Sequence, residues 1–186
     1  MNKNIEIRLA QLTDAEALLE IYRYYVEHTA ISFEYAAPDV AEFQKRMEKI
    51  LSKYPYLVAV EDGHILGYAY AGAFHERAAY EWAAEVTIYL APDAKKCGIG
   101  RKLYEELEKR LQQMGITNLY ACIGYPEQED EYLNQNSAQF HAHMGYQTVG
   151  TFHNCGYKFQ RWYHMIWMEK IIGVHVTEQP PVKYIF

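Results

Sequence analysis

Val86-Thr87-Ile88-Tyr89-Leu90 runs directly into Ala91-Pro92-Asp93-Ala94-Lys95-Lys96-Cys97-Gly98-Ile99-Gly100, and this stretch decides the fold. Its first part is apolar and β-branched, which predicts a strand, and the apolar spacing that follows from about Arg101 predicts a helix. The two glycines allow the backbone to approach a ligand closely, and the first turn of a helix has unpaired N–H groups and a partial positive charge. With the added lysine charge, the junction is predicted to bind a phosphate group.

Length, composition and charge set the outer bounds. A chain of 186 residues that is 50% hydrophobic and 23% charged favours one globular domain. A net charge of −6 argues against a dedicated nucleic-acid-binding protein. Charges interrupt the apolar residues near the start, and no later segment has membrane-spanning length, so neither a signal peptide nor a membrane contact is expected. The unmatched Cys97, Cys122 and Cys155 indicate free thiols, which predicts a cytoplasmic location.

The first half of the chain is predicted to contain one strand, two helices and a hairpin. Alternating apolar residues at 5, 7 and 9 indicate a half-buried strand. A capping box at Thr13-Asp14-Ala15-Glu16 predicts the start of the first helix, and Asp39 with Glu42 predicts the start of the second. Asp62-Gly63 is a strong tight-turn signal, so residues 56–60 and 64–71 are expected to pair as an antiparallel hairpin.

The second half continues with alternating strands and helices. A strand at 85–90 precedes a helix with one apolar face that stops at Gly115, and the apolar run at 118–123 predicts a buried strand. A short helix at 134–144 and a strand pair at 146–152 and 162–172 follow. The predicted order is β-α-α-β-β-β-α-β-α-β-β, an α/β mixed sheet with helices on both faces. Residues 1–172 are expected to form a single domain, and residues 173–186, with Pro180-Pro181, a tail.

Several motifs in this order resemble the GNAT superfamily of acetyl-CoA-dependent N-acetyltransferases. The family's loop has the form Gln/Arg-x-x-Gly-x-Gly/Ala between the fourth strand and the third helix, and residues 95–100 fit it with lysine first. Residues 77–89, Ile123-Gly124-Tyr125-Pro126 and Asn134-x-x-Ser137-x-x-x-His141-x-x-x-Gly145-Tyr146 are similar to phosphinothricin-type acetyltransferases within that superfamily. The resemblance covers about residues 4–172. It implies the GNAT fold, with a central, twisted, mostly antiparallel sheet.

The resemblance also implies the catalytic residues. An alkyl ammonium with a pKa near ~10.4 must lose its proton before it attacks a thioester, which costs roughly 4.6 kcal/mol at neutral pH. Glu85 occupies the position of the general base that takes this proton, directly or through a water. Alternatively, Glu85 is a solvated strand residue or an ion-pair partner of Arg77. His141 is expected to protonate the CoA sulfur or to join the proton relay. In the competing interpretation it is a partly buried helix histidine whose hydrogen bonds are made within the fold. A water is the other candidate donor to the sulfur.

The implied cofactor is acetyl-CoA, bound along the fourth strand and the loop. If that strand splays from its neighbour, its free N–H groups would hold the pantetheine arm and the thioester oxygen; otherwise they complete the sheet. Asn134 is expected to bind the pantetheine arm or simply to cap its helix. The loop either cradles the pyrophosphate or is a plain basic turn. The expected cofactor-binding residues are Ile88, Tyr89, Leu90, Lys95, Lys96, Cys97, Gly98, Ile99, Gly100, Arg101 and Asn134.

The acceptor is the least determined part. Arg77 and Tyr80 align with positions that face an amino-acid-like acceptor in the resembled subfamily, and Phe33 is a third substrate-binding candidate. Arg77 either holds a carboxylate or is a surface arginine. The acidic residues at 127–131 either steer a cationic amine or form a solvated loop. No metal is expected, because His141 and His143 would point about 200° apart on a helix.

The sequence therefore predicts an N-acetyltransferase that acts on the primary amine of a small, amino-acid-like molecule. A peptide N-terminus or a polyamine is the alternative acceptor, and a non-catalytic acyl-CoA-binding module is the alternative to an enzyme. The expected partner is the small-molecule amine, with no nucleic acid and no membrane, and a homodimer is left open.

Overall fold

A mixed seven-stranded sheet with helices on both faces organises the computed structural model, which describes residues 5–94 and 98–184. The strands lie in the order β1-β2-β3-β4-β5-β7-β6, and among the strands of the described residues only the β4–β5 pair is parallel. The predicted α/β class and the predicted order of elements are confirmed. The elements are β1 (Glu6–Leu9), α1 (Ala15–His28), α2 (Val40–Leu51), β2 (Tyr56–Glu61), β3 (His64–Ala73), β4 (Ala83–Leu90), α3 (Ile99–Met114), β5 (Asn118–Tyr125), α4 (Asn136–His143), β6 (Gln147–Lys158) and β7 (Arg161–Ile171).

Local signals in the sequence account for several element boundaries. The Asp39 side chain accepts a hydrogen bond of 2.8 Å from the Glu42 backbone N–H, which caps α2 as predicted. Asp62 and Gly63 have φ angles of 49° and 80° and form the tight turn between β2 and β3. Gly115, with a φ of 92°, ends α3 in the left-handed conformation that glycine adopts at low cost.

The predicted capping box at the start of α1 is wrong. Leu12–Asp14 forms a turn of 3-10 helix instead, and α1 begins at Ala15. The Asp14 carboxylate binds Arg8 at 2.7 Å and accepts the Gln11 backbone N–H at 2.8 Å. This bidentate ion pair with β1 holds the chain in a tighter turn than the local sequence pattern indicated.

Strand β6 is longer than predicted. It runs to Lys158 rather than ending at Phe152, and its register against β7 shifts between Thr148 and Gly150 and again between Phe152 and Gly156. Such bulges interrupt the alternation of side chains between the two faces, so the periodicity that marks a strand in the sequence is lost there.

Each face of the sheet has its own apolar core. On one face, α3 buries leucines that are 0% exposed, and each contributes about 1.5–3 kcal/mol of hydrophobic stabilisation. On the other face, α1 and α2 pack on Tyr56 and Tyr68. Because side chains alternate along a strand, Val86 and Ile88 of β4 face α3, and Tyr89 faces α1. Glu85 is thereby placed on the α1–α2 face. It lies near the start of β4, at the end of the strand farther from the junction with α3.

The stretch after β7 packs against the domain as far as the structure describes it. Val182 is buried among the α3-side core residues, and the Lys183 backbone N–H donates to the Met114 carbonyl at 2.8 Å. The Trp82 indole N–H donates to the Pro180 carbonyl at 2.7 Å. These contacts join residues 180–184 to the start of β4 and the end of α3.

Candidate active site

Strands β4 and β5 pair over only three residues and then separate. The parallel ladder joins Ala83–Glu85 to residues 118–120, although β4 continues to Leu90 and β5 to Tyr125. The splay on which the cofactor prediction depended is therefore present, and it leaves β4 backbone groups without a β5 partner. A cleft of about 60 Å³ lies in the gap. It is lined by Ile31, Val86, Thr87, Ile88, Tyr89, Tyr104, Ala121, Cys122, Ile123, Gly124, Ser137 and His141.

His141 lines this cleft with both ring nitrogens occupied. Nδ1 lies 2.7 Å from the Ser137 carbonyl, and Nε2 lies 2.9 Å from the Tyr104 hydroxyl. A carbonyl only accepts, so Nδ1 carries the proton and Nε2 accepts from Tyr104. The side chain is only 3% exposed, and burial lowers the pKa of His141 to about 4. The imidazole is therefore neutral at pH 7.

The start of α3 is shaped for close contact with the cleft. Gly98 precedes the helix with a φ of 74°, a left-handed conformation that favours glycine. A Cβ at Gly100 would lie 3.2 Å from the Phe140 ring and 3.5 Å from the Ile88 side chain, so this position has little room for a side chain. Ile99 is buried and Arg101 is exposed. The predicted site residues Lys95, Lys96 and Cys97 lie outside the described residues.

Two other expected cofactor residues have mainly structural contacts. Asn134 is exposed, and its side-chain oxygen accepts the Asn136 backbone N–H at 3.1 Å, beside the first residue of α4. The N-cap position of α4 is Gln135, so this contact stabilises the turn that leads into the helix and does not itself cap it. Leu90 ends β4, and its carbonyl accepts the Tyr25 hydroxyl at 2.6 Å.

A second, larger cavity of about 770 Å³ lies on the α1–α2 side of β4. It brings together Glu85, Arg77 and Tyr80, which the sequence had assigned to the acceptor and its deprotonation. Arg77 and Tyr80 come from the β3–β4 connection and Glu85 from β4 itself. The remaining lining residues are Arg46, Lys49, Ile50, Ser52, Lys53, Tyr54, Tyr70, Gly72, Ala73, His75, Glu76, Ala78, Glu81, Thr87 and Tyr184.

Glu85 is a half-buried carboxylate without an assigned partner. Within residues 5–94 and 98–184 its side chain has neither a hydrogen bond nor an ion pair, and the same is true of Arg77. The alternative ion pair between these two residues is thus not formed there. Burial raises the pKa of Glu85 above its ordinary value, because the charged form loses hydration. An unpaired carboxylate with a raised pKa is suited to accepting a proton.

Sequence reasoning missed three residues at this site. Thr87 lines both the cleft and the large cavity, so it marks where the two meet. The alternation along β4 places Thr87 on the same face as Glu85, and this signal was available in the sequence. Tyr70 is opposite Thr87 on β3, and Tyr184 reaches the cavity from the C-terminal stretch. Neither tyrosine has a local sequence signal that would distinguish it from a packing residue.

Phe33 is not among the residues that line the Glu85 cavity. Its ring lies against the backbone of β5 and β6, where a Cβ at Gly124 would be 3.5 Å away and one at Gly156 only 2.4 Å away. The ring also stacks on Tyr163, with 6.5 Å between the ring centroids. Phe33 therefore holds the α1–α2 loop against β5 and β6, and its role in substrate binding stays a prediction.

Acidic residues of the segment 127–131 stabilise the loop that contains them. Asp130 accepts two backbone N–H groups and the Tyr163 hydroxyl, and Arg161 binds both Asp130 and Glu131 at 2.8 Å. Glu129 accepts the Gln135 backbone N–H at 2.8 Å. No group of three or more histidine, cysteine, aspartate or glutamate side chains is arranged to hold a metal ion in the part of the chain that the structure describes.

Comparison with known proteins identifies the family. Residues 7–167 match the model of the acetyltransferase (GNAT) domain. The chain belongs to the GNAT acetyltransferase family. It is 33% identical to a phosphinothricin N-acetyltransferase from Streptomyces viridochromogenes, over 95% of this chain and 92% of that protein. It is 29% identical to an L-methionine sulfoximine/L-methionine sulfone acetyltransferase from Salmonella typhimurium, over 92% of this chain and 96% of that protein.

A solved structure agrees with this assignment. The crystal structure of a GNAT superfamily phosphinothricin acetyltransferase from Sinorhizobium meliloti, in complex with acetyl-CoA, superposes with a TM-score of 0.85. The two chains are 32% identical, and the match covers 96% of this chain and 94% of the other. The predicted GNAT fold and the predicted phosphinothricin acetyltransferase-like resemblance are both confirmed, and this GNAT protein is an acetyl-CoA-dependent N-acetyltransferase. None of its described helices combines the length and the apolar character needed to span a membrane.

Proposed function

We propose that the protein acetylates the primary amine of a small, amino-acid-like molecule, with Glu85 as the general base. The observation that carries this proposal is the position of Glu85: it lines the large cavity, and Thr87, two residues along β4, lines both that cavity and the cleft. The acceptor amine would enter through the cavity and acetyl-CoA through the cleft. The two reactants would then meet beside Glu85.

Glu85 would take the proton that the acceptor ammonium must lose. Transfer from an ammonium group to a carboxylate is unfavourable in water, because the pKa of the ammonium is several units higher, so each increase in the pKa of Glu85 reduces the mismatch. Burial supplies that increase, and the missing ion-pair partner among the described residues leaves the carboxylate free to accept. A water between the amine and Glu85 serves equally well, because the proton can pass along a short hydrogen-bonded chain.

The residues around the cleft fit acetyl-CoA, which supplies an activated thioester carbonyl when bound. Backbone N–H groups of β4 beyond Glu85 would hold the pantetheine arm and stabilise negative charge on the carbonyl oxygen. Gly98, Ile99 and Gly100 would present the free N–H groups of the first turn of α3 to the pyrophosphate. The left-handed φ of 74° at Gly98 supports this arrangement, because it turns the chain directly into the first turn of α3.

A proton must also reach the departing CoA thiolate, and water and His141 are the two donors under consideration. With its pKa near 4, only about one His141 in a thousand carries a second proton at pH 7. The pKa of the Tyr104 hydroxyl is raised well above its ordinary value by burial, so this group also gives up its proton reluctantly. We therefore favour water as the donor, with His141 orienting Tyr104 at the wall of the cleft.

Two features support an amino-acid-like acceptor. Phosphinothricin and methionine sulfoximine, which the related enzymes are named for, each carry an α-amine and a carboxylate. Arg77 lines the cavity with a guanidinium that has no carboxylate partner among the described residues, and a guanidinium binds a carboxylate through two parallel hydrogen bonds. Tyr80 adds a hydroxyl at the same wall. Arg77 would thus hold the carboxylate while Glu85 faces the amine.

The test is an acetyl-transfer screen that combines thiol release with mass spectrometry of the acetylated product. The panel contains amino acids, methionine sulfoximine, phosphinothricin, a polyamine and a peptide with a free N-terminus. Each amino acid is paired with its methyl ester, which keeps the amine but removes the carboxylate charge. We expect turnover with free amino acids and a lower kcat/KM with the esters. Turnover confined to the polyamine or the peptide would contradict the proposal.

We also propose that two copies associate through the outer strands. Val149 and Phe152 on the edge strand β6 and Trp162 on the neighbouring β7 are large apolar side chains that are more than half exposed. Exposed apolar residues on an edge strand are typical of protein contacts. We expect sedimentation equilibrium to show a dimer that dissociates in the Phe152→Lys variant. The cytoplasmic location expected from the cysteines stays a prediction.

A further inference from the structure

The C-terminal stretch is anchored on both sides of residue 182. The Pro180 carbonyl accepts the Trp82 indole N–H at 2.7 Å, and the Lys183 backbone N–H donates to the Met114 carbonyl at 2.8 Å. Between these contacts, Val182 is only 8% exposed and packs in the α3-side core. Residues 180–183 are thus held by three different kinds of contact, and they fix where the next residue, Tyr184, lies.

Tyr184 joins two walls of the large cavity. Its hydroxyl donates to the Glu81 carboxylate at 3.3 Å, on the connection that also carries Arg77. The Tyr184 ring meets the Tyr54 ring edge-on, with 5.9 Å between the ring centroids. The Lys53 ammonium lies 5.9 Å from the centroid of the Tyr184 ring. Lys53 and Tyr54 follow α2, on the opposite wall. The tyrosine therefore closes a part of the cavity that would otherwise be open to solvent.

The cavity is much larger than the amine and the carboxylate of an amino acid require. Its volume of about 770 Å³ is in the range of pockets that bind whole drug-sized molecules. If Arg77 holds the carboxylate and Glu85 faces the amine, the acceptor's side chain must occupy the remaining space. Tyr54 and Tyr184 line that space with aromatic carbon, so it suits an apolar side chain, and the Tyr184 ring bounds the space on the side of the C-terminal stretch.

We propose that Tyr184 is a specificity-determining residue of the acceptor site, which limits how bulky a side chain the acceptor can carry. This inference rests on the proposed function, because it assumes that the large cavity takes the acceptor. It assigns to the C-terminal stretch a part in substrate selection. The acceptor class is an amino-acid-like amine whose apolar side chain extends toward the Tyr184 ring, which ends the space available to it.

The experiment compares L-alanine with L-phenylalanine as acceptors for the full chain and two variants. Tyr184→Ala widens the cavity and Tyr184→Trp narrows it. We expect the ratio of kcat/KM for phenylalanine to kcat/KM for alanine to rise about 10-fold in the first variant and to fall about 10-fold in the second. The KM for acetyl-CoA should stay constant in both. Val174→Ala, a truncation of an exposed residue of the same stretch, is the matched control.

Opposite changes in the ratio are the decisive result, because general structural damage would lower both activities together. A ratio that is unchanged in both variants, or that moves in the same direction in both, overturns the inference. If Tyr184→Ala fails to fold, the fall expected for Tyr184→Trp decides alone. Absence of turnover with any amino acid by the unsubstituted chain would overturn the proposed function, and this inference with it, whereas turnover with an unchanged ratio overturns only the role of Tyr184.

Discussion

The cleft beside His141 and the cavity beside Glu85 share Thr87, but they differ in whether these polar side chains have partners within the protein. In the cleft, the imidazole of His141 is held at both nitrogens, by Ser137 and by Tyr104. In the cavity, Glu85 and Arg77 have no hydrogen-bond or ion-pair partner among the described residues. The histidine of the cleft thus has its hydrogen bonds made within the fold, whereas these two charged groups of the cavity are available to a ligand.

This difference separates a structural histidine from a catalytic carboxylate. A buried polar group with all its hydrogen bonds made stabilises the fold, and changing it costs free energy of unfolding. A half-buried charge without a partner is unfavourable for the fold, and it is retained most readily where a substrate provides the partner. The comparison therefore predicts that substitutions at Glu85 change catalysis, whereas substitutions at His141 change stability.

The largest expected effect is on kcat in the Glu85→Gln variant. Glutamine has nearly the same shape as glutamate but cannot accept the ammonium proton, so we expect kcat to fall by about 10²–10⁴-fold. The affinity for acetyl-CoA, measured by titration calorimetry, should change little, because the cofactor is bound by backbone groups further along β4 and at α3.

Glu76→Gln is the matched control for this variant. Glu76 lines the same cavity, but it is exposed and pairs with Lys49 at 3.3 Å. An exposed ion pair of this kind contributes little, so kcat should be nearly unchanged. Equal losses in the two variants, or an unchanged kcat in Glu85→Gln, would remove Glu85 as the base.

The two sides of β4 were also unequally predictable from sequence. The cofactor side depends on local patterns: glycines at 98 and 100, the apolar strand before them and the apolar helix after them. Each of these acts within a few residues, and the strand, the helix and the glycine junction were predicted from them. The splay of β4 from β5 was one of two alternatives left open, because nothing in either strand's own sequence encodes where their pairing ends.

The acceptor side depends on contacts between distant parts of the chain. Tyr184 lies 103 residues from Glu81, its hydrogen-bond partner, and no local pattern indicates that they meet. The same holds for Phe33, whose position is set by the two glycines of β5 and β6 that it covers. Glu85 and Arg77 were identified by the family resemblance, but only the three-dimensional structure shows that neither has a partner in the described part of the chain.

The second prediction concerns the pH dependence of stability in the His141→Gln variant. In the folded protein the pKa of His141 is about 4, below its ordinary value of 6.5, so between these pH values the unfolded chain binds more protons. The free energy of unfolding should therefore rise with pH from 4 to 6.5, by about 3 kcal/mol from this residue alone. The variant should lose this dependence, measured by urea unfolding at several pH values.

His143→Gln provides the control on the same helix. His143 is exposed, so its replacement removes a histidine from α4 without changing the buried contact between His141 and Tyr104. The kcat of His141→Gln, corrected for the fraction folded, should fall less than that of Glu85→Gln. A loss of kcat in His141→Gln as large as that in Glu85→Gln, with stability unchanged, would reverse the assignment of the two sides and restore His141 as the proton donor.

The smallest expected effect is a displacement of the pH profile of kcat/KM. Burial raises the pKa of Glu85 above 4.5, so the limb on which activity rises as the base becomes ionised should lie above that pH. The acceptor's own ammonium also titrates, and two acceptors with different amine pKa values separate the contributions. A limb that stays in place belongs to the enzyme, whereas a limb that moves with the amine belongs to the substrate. If every limb of the profile moves with the pKa of the amine, Glu85 does not titrate in the pH range measured. The contrast between an available carboxylate at Glu85 and a fully hydrogen-bonded His141 would then have no kinetic support.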